Sequence, residues 1–256
     1  MTVPPILYHY FRLPLPYVQT LALQERIHRI QLALRPAHKD ILLLLQHRPV
    51  YTAGRRQTED STRDERNRLT KIGADFVTAT RGGQLTYHGP GQIVGYPLLD
   101  LSRYVPTMGA RDYVCRMQKM LQLHLKEAHG IEHAPSEHTG VFLDSKTKIA
   151  SIGVQVRHRL TSHGFAYNVT PEPVAWFDRI VACGLDDVKA GCIAKAKNTQ
   201  VNIEDEIPGL VNAFGRMYER DIVPIQLEQE GELGEAILEM EQEAERMGEW
   251  PHAPLS

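Results

Sequence analysis

The chain has 256 residues, 42% of them hydrophobic and 23% charged, with a formal net charge of −2. That is enough chain to bury a sizeable core in one large domain or two small ones, and the balance excludes whole-chain attraction to nucleic acid or an anionic membrane. Three cysteines, Cys115, Cys183 and Cys192, make no disulfide framework and suit a reducing compartment; no C-x-x-C pair offers a structural zinc site. No run approaches the ~20 apolar residues that span a bilayer. The N-terminus, MTVPPILYHYFRLPLP, reads neither as a secretory signal nor, being poor in Arg and Ser, as a transit peptide.

In chain order, residues 6 to 11 read as a short strand broken by Pro14 and Pro16. A helix follows from Tyr17 to about Leu34, with Leu23, Ile27, Ile30 and Leu34 on one face, and Pro36 helps end it. Ile41 to Gln46 is a continuous aliphatic run, as in a strand buried on both faces. The segment His47-Arg48-Pro49-Val50-Tyr51-Thr52-Ala53-Gly54 reads as a turn-rich loop. Residues 55 to 70 are polar and form an exposed loop or short helix, and Phe76 to Thr80 a strand.

A second helix spans Met108 to Glu127, striped by Tyr113, Met117, Leu121 and Leu125, with Gly130 as its stop and Cys115 as an inert core or boundary thiol. From Thr139 the texture is strands: 139 to 143, 149 to 157 and 165 to 169, the first two joined by a turn at Asp144-Ser145-Lys146-Thr147. Residues 203 to 219 are helical. The glutamate-rich stretch from Glu228 to Glu249 has Ile237, Met240, Ala244 and Met247 at helical spacing, an amphipathic acidic extension. We divide the chain into a main domain over 1 to 224 and this extension over 225 to 256. Helices set among antiparallel strand pairs make the fold class α+β, a mixed, largely antiparallel sheet flanked by helices.

The densest signal is Arg81 to Pro97, RGGQLTYHGPGQIVGYP. Two short strands about Gly89-Pro90-Gly91 suggest a β-hairpin, with glycines where φ is positive or a ligand comes close. Local rules leave a plain hairpin and a ligand-binding turn as equal alternatives. An arginine, a histidine and several N–H groups in one short stretch favour the second, for an extended, partly anionic ligand.

This segment, continued as RGGQLTYHGPGQIVGYPLLDL, resembles the signature of the octanoyltransferases of lipoate biosynthesis, the lipoyl(octanoyl) transferases. The resemblance continues at Lys148-Ile149-Ala150-Ser151-Ile152-Gly153-Val154, at Thr161-Ser162-His163-Gly164-Phe165-Ala166-Tyr167-Asn168-Val169 and at Ile180-Val181-Ala182-Cys183-Gly184, covering about residues 5 to 220. It implies a catalytic domain like that of biotin and lipoate protein ligases, with the Pro-Val-Tyr-Thr-x-Gly segment flanking the active site. It implies three acyl-binding stretches: Arg81-Gly82-Gly83-Gln84-Leu85-Thr86-Tyr87-His88, Ser151-Ile152-Gly153 and Gly164-Phe165-Ala166. Small residues and backbone edges of this kind shape a narrow apolar slot for a straight chain.

Most cysteines are buried packing, but Cys183 follows an apolar run and precedes Gly184, where a packed segment gives way to a loop; Cys192 lacks that setting. The resemblance makes Cys183 the acyl-accepting nucleophile and Lys148 its partner. A thiol of pKa ~8.5 is only a few per cent thiolate at neutral pH and needs a cationic or basic neighbour. An ammonium within ~4 Å supplies it, each pKa unit gained being ~1.4 kcal/mol. On spacing alone Lys148 is a solvated turn lysine. His163 is a second candidate base, better placed as support that lines the acyl pocket or holds the loop. Among the 12 histidines, the pairs His133/His138 and His158/His163 lack the i, i+4 spacing of a helical zinc motif, so no metal is expected.

The implied reaction is ping-pong and ATP-independent, without a cofactor, and no G-x-x-x-x-G-K-[ST] loop is present. Octanoyl-acyl carrier protein is the implied donor. Lipoyl domains of 2-oxoacid dehydrogenase complexes and the glycine cleavage H protein are the acceptors. Two departures from the family pattern stand out: the charged segment Leu185 to Ala196, and the glutamate-rich tail. The rivals are an ATP-dependent lipoate or biotin protein ligase, a non-catalytic acyl-carrier docking module, and a cysteine hydrolase. The compartment is mitochondrial for a eukaryotic chain, to which the acidic tail inclines, and otherwise cytoplasmic.

Overall fold

The computed structural model describes residues 3–181, Gly184 and residues 187–255. The first half of the chain forms β1 (Ile6–Tyr10), α1 (Tyr17–Ala33), β2 (Asp40–Leu45), β3 (Val50–Ala53), α2 (Glu59–Lys71), β4 (Asp75–Thr78), β5 (Thr86–His88), β6 (Gln92–Leu98) and α3 (Ala110–His129). The second half forms β7 (Val141–Phe142), β8 (Thr147–Arg157), β9 (Leu160–Asn168), α4 (Glu172–Phe177), β10 (Lys189–Ala190), α5 (Ile193–Lys197), α6 (Ile203–Tyr218), β11 (Ile222–Pro224) and α7 (Gly231–Arg246).

A large mixed sheet runs in the order β10-β8-β9-β6-β2-β1-β11, with β7 also paired to β8. Its middle is antiparallel, and β1 and β10 join it in parallel. Side chains alternate faces along each strand. Leu42 and Leu44 of β2, Ile93 of β6 and Phe165 and Tyr167 of β9 fall into one core with Met117, Leu121 and Leu125 of α3 and Leu210 and Phe214 of α6. Ile41, Leu43 and Leu45, Val94 and Tyr96, and Ala166 fall into the other core with Leu23 and Ile27 of α1 and Leu233, Ile237 and Met240 of α7. The result is a three-layer sandwich of helices, sheet and helices. Among the described residues no helix is long and apolar enough to cross a membrane.

Several expectations are corrected. The two halves of RGGQLTYHGPGQIVGYP do not pair with each other. β5 joins β3 and β4 in a separate three-stranded sheet, while β6 lies between β2 and β9. The turn at Gly89 to Gly91 therefore hands the chain from one sheet to the other. Val50 to Ala53, expected as a loop, is the central strand of that small sheet. Cys115 is exposed, not a core or boundary thiol: it lies off the buried stripe of α3. Gly130 caps α3 in the left-handed conformation, φ 67°, as its position after the apolar stripe predicts.

The glutamate-rich helix α7 buries Leu233, Ala236, Ile237, Met240 and Ala244 and turns its carboxylates outward, Glu241 to His9 and Glu232 and Glu239 to Arg26. Because Ile237 is fully buried against α1 and the sheet, Ile237→Ala should cost about 2–5 kcal/mol of unfolding free energy in urea denaturation. An unchanged midpoint would remove α7 from the cooperative core.

Candidate functional site

The site sits on the α1 side of the sheet, where the register of β8 on β9 places small residues opposite one another. Ser151 pairs with Ala166 and Gly153 with Gly164. On the opposite face, Gly95 of β6 leaves room for the Phe165 ring, which a Cβ there would meet at 2.2 Å. With nothing bulky rising from these strands, a narrow cleft opens above them. The loop after β4 roofs it: Gly82 N–H donates to Val154 O at 3.2 Å, bringing Arg81 and Gly83 over the slot.

Arg81 is buried in this roof. Its guanidinium donates to Thr52 O at 2.5 Å, Thr52 Oγ1 at 2.6 Å and Gly82 O at 3.0 Å, all neutral oxygens. The walls carry Tyr17, His88, Tyr96 and His163. Tyr96 O–H lies 2.6 Å from His47 Nε2, and His47 Nδ1 lies 3.0 Å from Leu15 O. The carbonyl can only accept, so Nδ1 carries the proton and the tyrosine donates to Nε2.

A second, small cavity adjoins the first, sharing Ser151 and Ala166 with it, and Lys148 and Lys189 line it. Lys148 Nζ stands 5.4 Å from the Phe142 ring centroid. Gly140, at φ 130°, makes its room: a Cβ there would meet Lys148 Cε at 2.5 Å. A hydrogen-bond chain joins the two cavities. His88 Nδ1 is 2.8 Å from Gln92 Oε1, Gln92 Nε2 donates to Asn168 Oδ1 at 2.8 Å, and Asn168 Nδ2 donates to Gly191 O at 2.9 Å. Gly191 N–H then donates to Lys148 O at 2.8 Å.

The sequence pattern of the lipoyl protein ligase A/B catalytic domain matches residues 16–215. The chain belongs to that family. Among relatives, an octanoyltransferase of Caldicellulosiruptor saccharolyticus is 37% identical over 79% of this chain and 84% of its own. A mitochondrial octanoyltransferase of Arabidopsis thaliana is 34% identical over 81% and 86%. A Danio rerio relative, 37% identical over 69% and 76%, is named an octanoyl-acyl-carrier-protein:protein N-octanoyltransferase, mitochondrial. Solved structures share the family fold. Lipoate-protein ligase A bound with ATP superposes with TM-score 0.65 at 17% identity over 98% of each chain. The bipartite lipoate protein ligase of Thermoplasma acidophilum gives 0.66 at 16%, over 99% of this chain and 98% of that one.

Within this family frame, Arg81, Gly82, Gly83, Thr86 and His88 meet Ser151, Ile152 and Gly153, and Gly164, Phe165 and Ala166, around one cleft. Leu85 and Tyr87 face away from it, into an aromatic cluster where Tyr87 stacks on Trp176 at 5.3 Å. Gln84 stands against Gly184, whose Cβ position its Oε1 approaches at 2.0 Å. Cys183 lies outside the described residues. Val181 before it is exposed, so the apolar run is not packed throughout as the sequence suggests. Cys192 is buried, and burial raises its thiol pKa.

Tyr17, Val94 and Tyr96 line the cleft unforeseen, because they come from α1 and from the half of the motif assigned to a hairpin. Gln92 and Asn168 lay within quoted motifs, and their polarity in buried strands was the available signal.

Burial first, then the charges of Arg81 and Arg157, lowers His163 from 6.5 to about 3. Burial lowers His47 to about 4. His88 falls well below 6.5 through burial, then through His47 and Arg81. These rings are neutral at pH 7. The unfolded chain takes up their protons near pH 6.5 and the folded chain does not, so the stability present above pH 6.5 is lost as pH falls toward the folded values. The slope is about 1.4 kcal/mol per pH unit per histidine. Urea unfolding between pH 7 and 5 should show this decline, and His163→Gln should flatten it. A His163 imidazole titrating near 6.5 by NMR would contradict the assignment.

Proposed function

We propose that this chain is an octanoyltransferase of protein lipoylation, moving an octanoyl group from acyl carrier protein to the acceptor lysine of a lipoyl domain through a thioester on Cys183. One observation carries the reading: three separate stretches close a single slot whose floor, at Ser151 and Ala166, continues into the cavity lined by Lys148. The names of relatives at 34–37% identity agree with it.

The octanoyl chain lies over Val94, Gly153 and Gly164, with its thioester toward Ser151. The Cys183 thiolate attacks the thioester carbonyl. A new C–S bond forms, the tetrahedral intermediate collapses, and the carrier's thiolate leaves with a proton from the Lys148 ammonium. The acceptor lysine's amine then attacks octanoyl-Cys183. The amide C–N bond forms, the thiolate departs, and Lys148 takes the amine's proton. The thioester is already activated, so no ATP is spent. Burial that favours the neutral thiol makes Cys192 a poor substitute nucleophile.

Lys148 rides on β8 as part of the large sheet, and the carbonyl chain from His88 to Gly191 fixes its backbone. Arg81, bonded to Thr52 and Gly82, holds the roof loop over the acyl chain, away from the thioester end. Lys189, exposed at the second cavity, suits an acidic carrier or lipoyl domain at the mouth. In a eukaryote the work would fall in mitochondria, as the names of the plant and fish relatives indicate for them; otherwise it would fall in the cytoplasm.

Incubation with octanoyl-acyl carrier protein and no ATP should add one octanoyl group to the intact protein, seen by mass spectrometry, and a lipoyl domain should then remove it. Cys183→Ser should abolish the adduct and Cys192→Ser should keep it. Strict ATP dependence would instead favour ligase chemistry. Lys148→Ala should slow transfer by about 10²–10⁴-fold; normal turnover would take the lysine out of the mechanism.

A further inference from the structure

Behind the site, on the opposite face of β9, a compact polar cluster lies inside the helix layer. His129 Nε2 is 2.7 Å from Glu206 Oε2, and His124 Nε2 is 3.4 Å from the same oxygen. The three candidate ligand atoms all lie within 4.8 Å of one another. The side chains are nearly closed off from solvent, at 2%, 4% and 6% exposure for His124, His129 and Glu206.

As a hydrogen-bonded pin between α3 and α6, the cluster is badly satisfied. It uses one ring nitrogen, His129 Nε2, and leaves both nitrogens of His124 and Nδ1 of His129 without a hydrogen-bond partner. The hydroxyl of Tyr167, whose ring stands edge-on to His124 at 5.8 Å, is also buried and unpartnered. Native interiors leave few such atoms unpaired. A cation on His124 Nε2, His129 Nε2 and the Glu206 carboxylate would give His124 Nε2, unpartnered and aimed at that carboxylate, a use.

We propose that His124, His129 and Glu206 bind one divalent transition-metal ion of the zinc class, clamping the C-terminal end of α3 to the first turn of α6. Ligands around tetrahedral zinc at ~2.0–2.1 Å stand ~3.3 Å apart, inside the 2.7–4.8 Å spread found here. Two imidazoles and one carboxylate suit zinc, cobalt or nickel, whereas calcium and magnesium want oxygen. His129 is the last residue of α3, between exposed Ala128 and Gly130, which gives the ion a way in.

The test uses the whole protein stripped with a chelator. Zinc should bind at one ion per chain by calorimetry and elemental analysis. At a hundredfold excess over Kd it should raise Tm by about 5–10 °C. Cobalt should give the visible bands of a tetrahedral nitrogen–oxygen site, which zinc then bleaches. His129→Gln and Glu206→Gln should weaken zinc binding beyond the roughly 10–100-fold that an outer-shell change costs. Sub-stoichiometric metal, cobalt bands carrying thiolate charge transfer, or binding unchanged in both variants would each overturn the proposal. The cobalt spectrum of the unaltered chain needs no variant to fold.

Discussion

The register of β8 against β9 is the constraint on which the rest of the molecule depends. A pleated strand shows its two faces in strict alternation, so a slip of one residue would exchange them. In the register observed, Ser151, Gly153, Gly164 and Ala166 share one face while Phe165, Tyr167 and Ala150 join the core under α3 and α6. Bulk on one side anchors the sheet; its absence on the other leaves the slot. The floor of the cleft is thus a side effect of how the sheet is held, which makes it rigid without any loop having to hold it open.

The electrostatics of the slot follow from the same burial. Arg81 enters an interior that penalises charge, and neutral oxygens of Thr52 and Gly82 compensate it by hydrogen bonding. Its field, added to desolvation, keeps the surrounding histidines neutral. Imidazoles that cannot charge are poor bases at pH 7 and acceptable walls for a hydrocarbon. That division of labour leaves proton transfer to the neighbouring cavity, where Lys148 stands, and keeps the acyl end of the site dry.

Much of this was readable in advance. The run Ile41 to Gln46 gave away a strand covered on both faces, and Tyr113, Met117, Leu121 and Leu125 marked the buried stripe of α3. The expected strand 149 to 157 matches β8 closely, whereas 165 to 169 caught only the second half of β9, which begins at Leu160. What resisted were pairings set by distant partners. No local rule says that Thr86 to His88 prefers β3 to β6, because the decision lies in an antiparallel register with Val50 to Thr52. The slot residues were legible only through family resemblance; in isolation each is a small residue in a strand. Glu206 reaches His129 across 77 positions of chain, a separation at which spacing rules for metal ligands on one helix have nothing to say.

β9 carries chemistry on both faces within three residues. Ala166 floors the slot, Tyr167 points into the histidine–glutamate cluster behind the sheet, and Asn168 returns to the site side to hold Gly191 and, through it, the backbone of Lys148. A strand in the middle of a sheet cannot shift one residue without its neighbours, since its ladder is bonded on both edges. Whatever fixes α3 and α6 against Tyr167 therefore also fixes the height of Ala166 and the reach of Asn168. Rigidity behind the sheet and geometry in front of it are one property, and the reacting groups inherit their placement from a core that never meets the substrate.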